Sequence, residues 1–239
     1  MIEKFNGFVR ISCSFLPSAG SLYVTAWSVT QNLTIMDKNL KSMATMHRMQ
    51  VSGLELFYAQ GYYNTSIGDI LKTLNLSKGA FYHHYTSKEE FFISIIQNLV
   101  FRKVYSMLIE PIEGEENPFR VIETCLDDAL ATAEHNEMDY GFVLANFMNE
   151  FNGRNEKISA YLKDICKVWE VNLVTSLQKG KTDGFVERHV DSEGVAAFII
   201  SSYFGIRTLM VGGNCKMLRY NYIQQLRTYF RPLSPVVVA

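Results

Sequence analysis

Apolar side chains recur at three- and four-residue spacing along most of the chain, the period of helices that bury one face. From about Met43, the set Met46, Met49, Gly53, Leu54, Leu56 and Phe57 predicts a helix that Gly61 ends. A glycine inside a helix costs about 1 kcal/mol relative to Ala, so a close helix crossing is expected at Gly53. Tyr62-Tyr63-Asn64 reads as a loop. Ile67, Ile70, Leu71 and Leu74 then mark one face of a short helix that Thr65 or Ser66 can cap. Asn75 falls where the chain must turn, and Asn tolerates the left-handed conformation. Ser77 can cap a second short helix, 78–84, and Ser87 with Glu90 forms a capping box that opens a long helix near 88–110.

Four more helices are predicted near 118–135, 140–152, 155–181 and 191–213, with a short one at 219–230. Asn117 and Asp191 are suited to cap the first and fourth, and Pro118 suits a first helical position. In 155–181, Ile158, Leu162, Ile165, Trp169, Leu173 and Leu177 form one stripe. In 191–213 the apolar residues run almost all the way round, which predicts that a partner subunit covers one side. The pattern is all-α: a small N-terminal three-helix unit followed by a larger helical body.

Residues 1–35 carry no helical or strand period, and Ser12, Ser14, Ser18 and Gly20 interrupt what would be a signal-peptide core. We expect 1–42 to be a leader without ordered structure, or the product of a start assigned upstream of Met36 or Met43. The domain expectation is therefore a leader at 1–42, a DNA-binding unit at 43–105 and a helical body at 106–239. No uninterrupted apolar run of about 18 residues occurs, so no membrane partner is expected.

Composition sharpens this division. The chain has 239 residues, is 48% hydrophobic and 20% charged, and carries a net charge of −1. That near-neutrality hides an asymmetry. Residues 36–105 hold eight Lys/Arg against five Asp/Glu, whereas 106–239 hold thirteen against eighteen. A basic segment ahead of an acidic body suits a polyanion-binding module. The cysteines, at 13, 125, 166 and 215, form no C-x-x-C and read as free thiols of a reducing compartment.

The functional signal is the segment 65–88, in which two short helices meet across a tight turn. That is the helix-turn-helix layout, whose second helix enters a DNA major groove. Small residues at Ser77, Gly79 and Ala80 let a helix approach base edges, and Lys78 can donate to guanine or phosphate. Adjacent His83 and His84 cannot face one metal ion on a regular helix, so no metal site is expected. The run Ser77-Lys78-Gly79-Ala80-Phe81-Tyr82-His83-His84-Tyr85, followed by Ser87-Lys88-Glu89-Glu90, closely resembles the DNA-binding domain of TetR/AcrR-type transcriptional regulators over about 45–105. Leu71 and Leu74 stand where that family commonly has Ala, and Asn75 where it commonly has Gly. The resemblance implies phosphate contacts from Tyr82, His84 and Lys88, with a base-edge or phosphate contact from His83. Thr65 and Ser66 offer hydroxyls at the other helix start, while Phe81 and Tyr85 pack the small core.

A weaker resemblance continues through 106–231, carried by Tyr140-Gly141-Phe142-Val143-Leu144-Ala145-Asn146 and Phe204-Gly205-Ile206-Arg207. Phe142 stands where one subgroup often has Cys, so thiol sensing is not carried over to it. The family implies a homodimer formed through the helices near 155–181 and 191–213, with Ile165, Trp169, Leu173, Phe198, Ile199 and Arg207 as candidate interface residues. It also implies a pocket for a small-molecule effector, with Tyr105, Leu108, Phe119, Phe142, Phe147, Phe151, Trp169 and Tyr203 as candidate lining. For each of these, plain core packing is the alternative. Arg207 in an apolar helix needs a partner, either across the dimer or in an anionic ligand.

The expected function is a cytoplasmic, homodimeric repressor that needs no cofactor. A small-molecule effector would release it from a pseudo-palindromic operator in double-stranded DNA. The alternative is an all-α carrier or enzyme that ignores DNA, but no catalytic set supports it. Gly180-Lys181-Thr182 ends like a phosphate-binding loop, yet Thr175 replaces the first glycine and a helix precedes it.

Overall fold

The computed structural model describes the backbone of residues 22–114, 117–136 and 141–235. The chain divides into two compact units, Met1–Met46 and His47–Ala239. The described residues form nine helices and no strands: α1 (Leu22–Gln60), α2 (Ile67–Leu74), α3 (Lys78–Tyr82), α4 (Lys88–Ile112), α5 (Pro118–Asn136), α6 (Val143–Phe151), α7 (Glu156–Thr182), α8 (Ser192–Leu209) and α9 (Cys215–Phe230).

In the first unit, α1 already runs from Leu22, well before the start expected near Met43. Neither Gly nor Pro occurs between Gly20 and Gly53, so nothing in that stretch breaks a helix. Residues 22–42, expected to be unstructured, are thus helical. The part of that expectation concerning 1–21 lies outside the described residues.

In the second unit, local sequence fixes most helix ends. Ser66 accepts from the Asp69 N–H while the Asp69 carboxylate accepts from the Ser66 N–H, a full capping box. Asn75 closes α2 in the left-handed region at φ 53°. Ser77 caps α3 and Asn155 caps α7, each accepting a backbone N–H three residues on. At α4 only half of the expected box forms. Ser87 accepts from the Glu90 N–H, but the Glu90 carboxylate takes the Thr86 N–H instead. The last helix begins at Cys215, earlier than expected, because the Asn214 side chain accepts the Met217 N–H. The helix α8 ends at Leu209, short of the expected 213, and Gly212 turns the chain with φ 70°.

Two π-helical turns, Ile96–Val100 and Tyr105–Ile109, interrupt α4. Such turns leave a carbonyl without its usual amide. At the second, the Cys125 thiol donates to the Met107 carbonyl at 3.2 Å. By length and composition α4 is the one helix among those described that could cross a membrane. Its apolar side chains, including Phe91, Phe92, Ile95, Val104 and Leu108, are instead buried in the protein.

The long helix α7 lies at the centre of the body and contacts α4, α5, α6 and α8, while α9 packs on α5 and α8. The stripe Ile158, Leu162, Ile165, Trp169, Leu173 and Leu177 is fully or almost fully buried. The helix α8 does not bury every side as its composition suggested. Val195, Ala196, Ile199, Tyr203 and Ile206 face the core, and Phe198 and Leu209 are exposed.

Candidate nucleic-acid interface

An aromatic core holds the helix-turn-helix in shape. Phe57 of α1, Phe81 of α3, Tyr85, and Phe91 and Phe92 of α4 are all buried, and Phe91 lies 4.8 Å from Tyr85 and 5.3 Å from Phe81 between ring centroids. Gly53 sits at the crossing of α1 with α4, where an added Cβ would lie 2.7 Å from two carbons of the Phe91 ring. The close crossing expected from sequence is present. Gln50 is buried beside this core and donates to the Tyr85 hydroxyl and to Ser94 Oγ, each at 3.0 Å.

With that core filled from within, α3 turns its other side outward. Lys78, Gly79, Tyr82 and His83 are exposed, Tyr82 by 61%, while Ala80 and His84 are half-buried. The exposed set combines a cation, an open stretch of backbone and a phenol. The His84 imidazole is held toward its neutral form, first by partial burial and then by the neighbouring His83. A neutral imidazole still donates one N–H.

Four of the expected contact residues are placed otherwise, the first being Ser77, whose hydroxyl accepts the Ala80 N–H. Thr65 is 1% exposed and its hydroxyl donates to the Gly61 carbonyl at 2.8 Å, so it braces the turn and presents nothing to solvent. Ser66 is exposed, but its hydroxyl is taken up by Asp69 at 2.6 Å. The Lys88 ammonium folds inward. It donates to the Tyr62 carbonyl at 2.5 Å and lies 4.1 Å from the Tyr62 ring centre, and burial lowers its pKa. A lysine so held locks the 61–64 loop onto α4.

The candidate pocket residues form packed core. Leu108, Phe119, Phe142, Phe147, Phe151, Trp169 and Tyr203 are each at most 4% exposed, and Tyr105 is half-buried with its hydroxyl on Glu113. Phe119 stacks on Phe230 at 4.7 Å. Phe147 and Phe151 pack against Phe92, each at 5.0 Å, which ties α6 to the DNA-binding helices. The candidate dimer residues need correction. Ile165, Trp169, Leu173, Ile199 and Arg207 are buried within the subunit, because the apolar stripe of α7 faces inward. Only Phe198 of that set is exposed, at 41%.

Sequence reading missed the contact of Tyr58 with Gly141. The Tyr58 hydroxyl donates to the Gly141 carbonyl, which also accepts from Arg207 Nη2 at 3.3 Å. No local pattern signals a contact between residues so far apart in sequence.

The family model described as bacterial regulatory proteins, tetR family, matches residues 51–95, and a tetracyclin repressor-like C-terminal domain model matches 118–211. Together they span more than half of the chain. The HTH-type transcriptional repressor DhaR of Mycobacterium sp. (strain GP1) is 24% identical over 160 residues, which cover 64% of this chain and 75% of the relative. The IcaR regulator of the Staphylococcus epidermidis biofilm operon is 36% identical over 47 residues, 20% of this chain and 25% of the relative. A TetR regulator from Chloroflexus aurantiacus superposes with a TM-score of 0.72 at 22% identity, covering 81% of this chain and 98% of that one. The chain belongs to the tetR family of bacterial regulatory proteins and is a helix-turn-helix, DNA-binding transcriptional regulator.

Proposed function

We propose that the protein is a homodimeric repressor that a small-molecule effector releases from a pseudo-palindromic operator. The exposed constellation on α3 carries this reading. Lys78 and Gly79 meet base edges or phosphates, Ala80 permits close approach, and Tyr82, His83 and His84 donate to the backbone or bases. At Ser77 and Lys88 the contribution comes from helix-start amides, since their side chains are engaged elsewhere, whereas both the amide and the hydroxyl of Ser66 are held by Asp69. Operator DNA as the partner places the protein in the cytoplasm.

Self-association would use the outward sides of α7 and α8. An apolar groove of about 720 Å³ runs between them, lined by Met148, Cys166, Ala197, Ile200 and Phe204 among others. Val168, Val171 and Phe198 are exposed nearby. This face replaces the buried stripe named above. A two-fold dimer sets its recognition helices about 34–36 Å apart, one turn of DNA. The effector works only through different affinities for the DNA-bound and released dimers.

A gel shift with the gene's own upstream region, run over a range of salt concentrations, tests the reading. Sequence-specific retention is expected; Lys78→Ala should flatten the salt slope by about one unit, whereas Tyr82→Ala should weaken binding and leave the slope unchanged. No shift at low salt, with a co-purified small molecule found by mass spectrometry, would favour a carrier or enzyme instead.

A further inference from the structure

Two adjacent imidazoles close the recognition helix. The rings of His83 and His84 lie 4.9 Å apart between centroids, His83 exposed and His84 half-buried. His84 also lies 6.4 Å from the ring of Tyr85, which is buried. The charged groups of the neighbouring helices are committed elsewhere. Asp69 of α2 is taken up by Ser66, and on α4 Glu90 accepts from Thr86 while Glu89 accepts from Asn155 and Lys157. The Lys88 ammonium is turned to the Tyr62 carbonyl, and Lys72 and Lys78 are exposed. From α1 the side chain that reaches Tyr85 is the neutral Gln50. Among the described residues neither imidazole forms an ion pair.

An imidazole titrates near pH 6.5 when nothing perturbs it, so its charge answers to small changes in surroundings. In the free protein, partial burial and then the neighbouring His83 hold His84 toward its neutral form. A DNA phosphate acts the other way, because an anion in contact favours the imidazolium. The complex therefore binds protons that the free protein does not hold. Two positive rings side by side repel, so the pair takes its first proton far more readily than its second.

We propose that His83 and His84 make operator binding proton-linked, each subunit taking up about one proton on DNA, so that the protein grips its operator more tightly as the surroundings acidify. The proposal rests on the reading that α3 faces the DNA, and it adds a form of regulation to that site. The sign follows from linkage. A pKa raised in the complex gives extra affinity that is fully present below the free-state value and is lost as pH rises through the bound-state value. Raising one imidazole per subunit by about one unit is worth roughly tenfold per subunit, or about 100-fold for the proposed dimer over the full window. Each proton also adds a cation that displaces a counterion, which steepens the salt slope by about 0.9.

The test measures binding of the full chain to labelled DNA from the gene's own upstream region by fluorescence anisotropy. Between about pH 8 and about pH 6 the Kd should fall roughly 10- to 40-fold, and the salt slope should be steeper by one to two units at the lower pH. Calorimetry near pH 6.5 in two buffers of different ionisation enthalpy counts the protons directly and should give about one per subunit. The double variant His83→Gln, His84→Gln keeps polar side chains and loses the titration. Its Kd, weaker at every pH, should vary less than about threefold across the window. The exposed His47 remains in that variant, so a pH response kept in full would place the linkage elsewhere and overturn the proposal. A parent Kd that ignores pH, or no proton uptake, overturns it as well. The calorimetry on the parent decides the matter even if the double variant binds too weakly to measure. No sequence-specific binding at any pH overturns the regulator reading, whereas specific binding without pH dependence overturns the proton linkage alone.

Discussion

Replacing Gly53 by Ala sets two known effects against each other. In an exposed helix the change stabilises by about 0.5–1 kcal/mol, because Ala loses less backbone freedom than Gly on folding. Here the new Cβ would meet Phe91 Cε1 and Cζ at 2.7 Å and Ile95 Cδ1 at 3.0 Å, against an ordinary contact of 3.4–4 Å. The Phe91 ring cannot swing aside, since it is fully buried with Phe81 and Tyr85 about 5 Å away and Phe57 at 6.2 Å. Forcing one methyl into such a site costs about 1–3 kcal/mol. The clash wins, and the net loss is about 1–2 kcal/mol, or roughly 2–8 °C in Tm for a domain of this size. Because α1 and α4 frame the recognition helix, operator affinity should fall with stability, and hydrogen exchange should quicken in α2 and α3. Gly53→Ala with Phe91→Leu should recover most of the loss. A Tm that rises in the single variant, as expected for an unobstructed helix, would refute the crossing geometry.

Asn75→Ala should destabilise by about 1–2 kcal/mol in urea melts, because the left-handed turn suits Asn and Gly only, whereas Asn75→Gly should lie within about 0.5 kcal/mol of the parent. Burial holds the phenols of Tyr203 and Tyr222 up to about 12 from 10. A raised folded pKa means that this stability is fully present below pH 10 and is lost as pH climbs toward 12. Phenolate absorbance and unfolding should therefore appear together in that window, and phenolate formation well below it without unfolding would contradict the burial. Tyr58→Phe removes the hydroxyl that donates to the Gly141 carbonyl and should cost about 1 kcal/mol in urea melts. An unchanged melt would show that this hydrogen bond adds nothing to stability.

Helix positions in the second unit were legible because their causes are local. The caps at Ser66, Ser77 and Asn155, the left-handed Asn75 and the inward stripe of α7 follow from residues within a few positions of one another. The π turns of α4 were not legible, since they depend on what packs against that helix, including Cys125 at a distance in sequence. The early start of α1 was missed because residues 22–42 lack an amphipathic period, although nothing among them breaks a helix. In the site, Lys78, Gly79, Tyr82 and His83 of the expected set are exposed, but the orientation of others was hidden. Thr65 and Lys88 carry polar groups suited to phosphate and spend them on Gly61 and Tyr62. The dimer residues went wrong for a related reason. An apolar stripe announces burial without saying whether the covering surface belongs to the same subunit, and for Ile165, Trp169 and Leu173 it does.

The brevity of α3 sets a limit on what it can read. Five residues rise about 7.5 Å, which spans roughly two base pairs at 3.4 Å each. In the dimer proposed above, two such helices would inspect about four pairs directly, or about 8 bits of sequence, enough to single out one site in roughly 250. A chromosome offers 10⁶ or more competing sites, which demands about 20 bits. The shortfall must be met by the distance fixed between the two half-sites and by the ease with which the intervening DNA adopts the shape the dimer imposes. For this protein, mutations in untouched operator positions should therefore matter as much as those beneath the recognition helices.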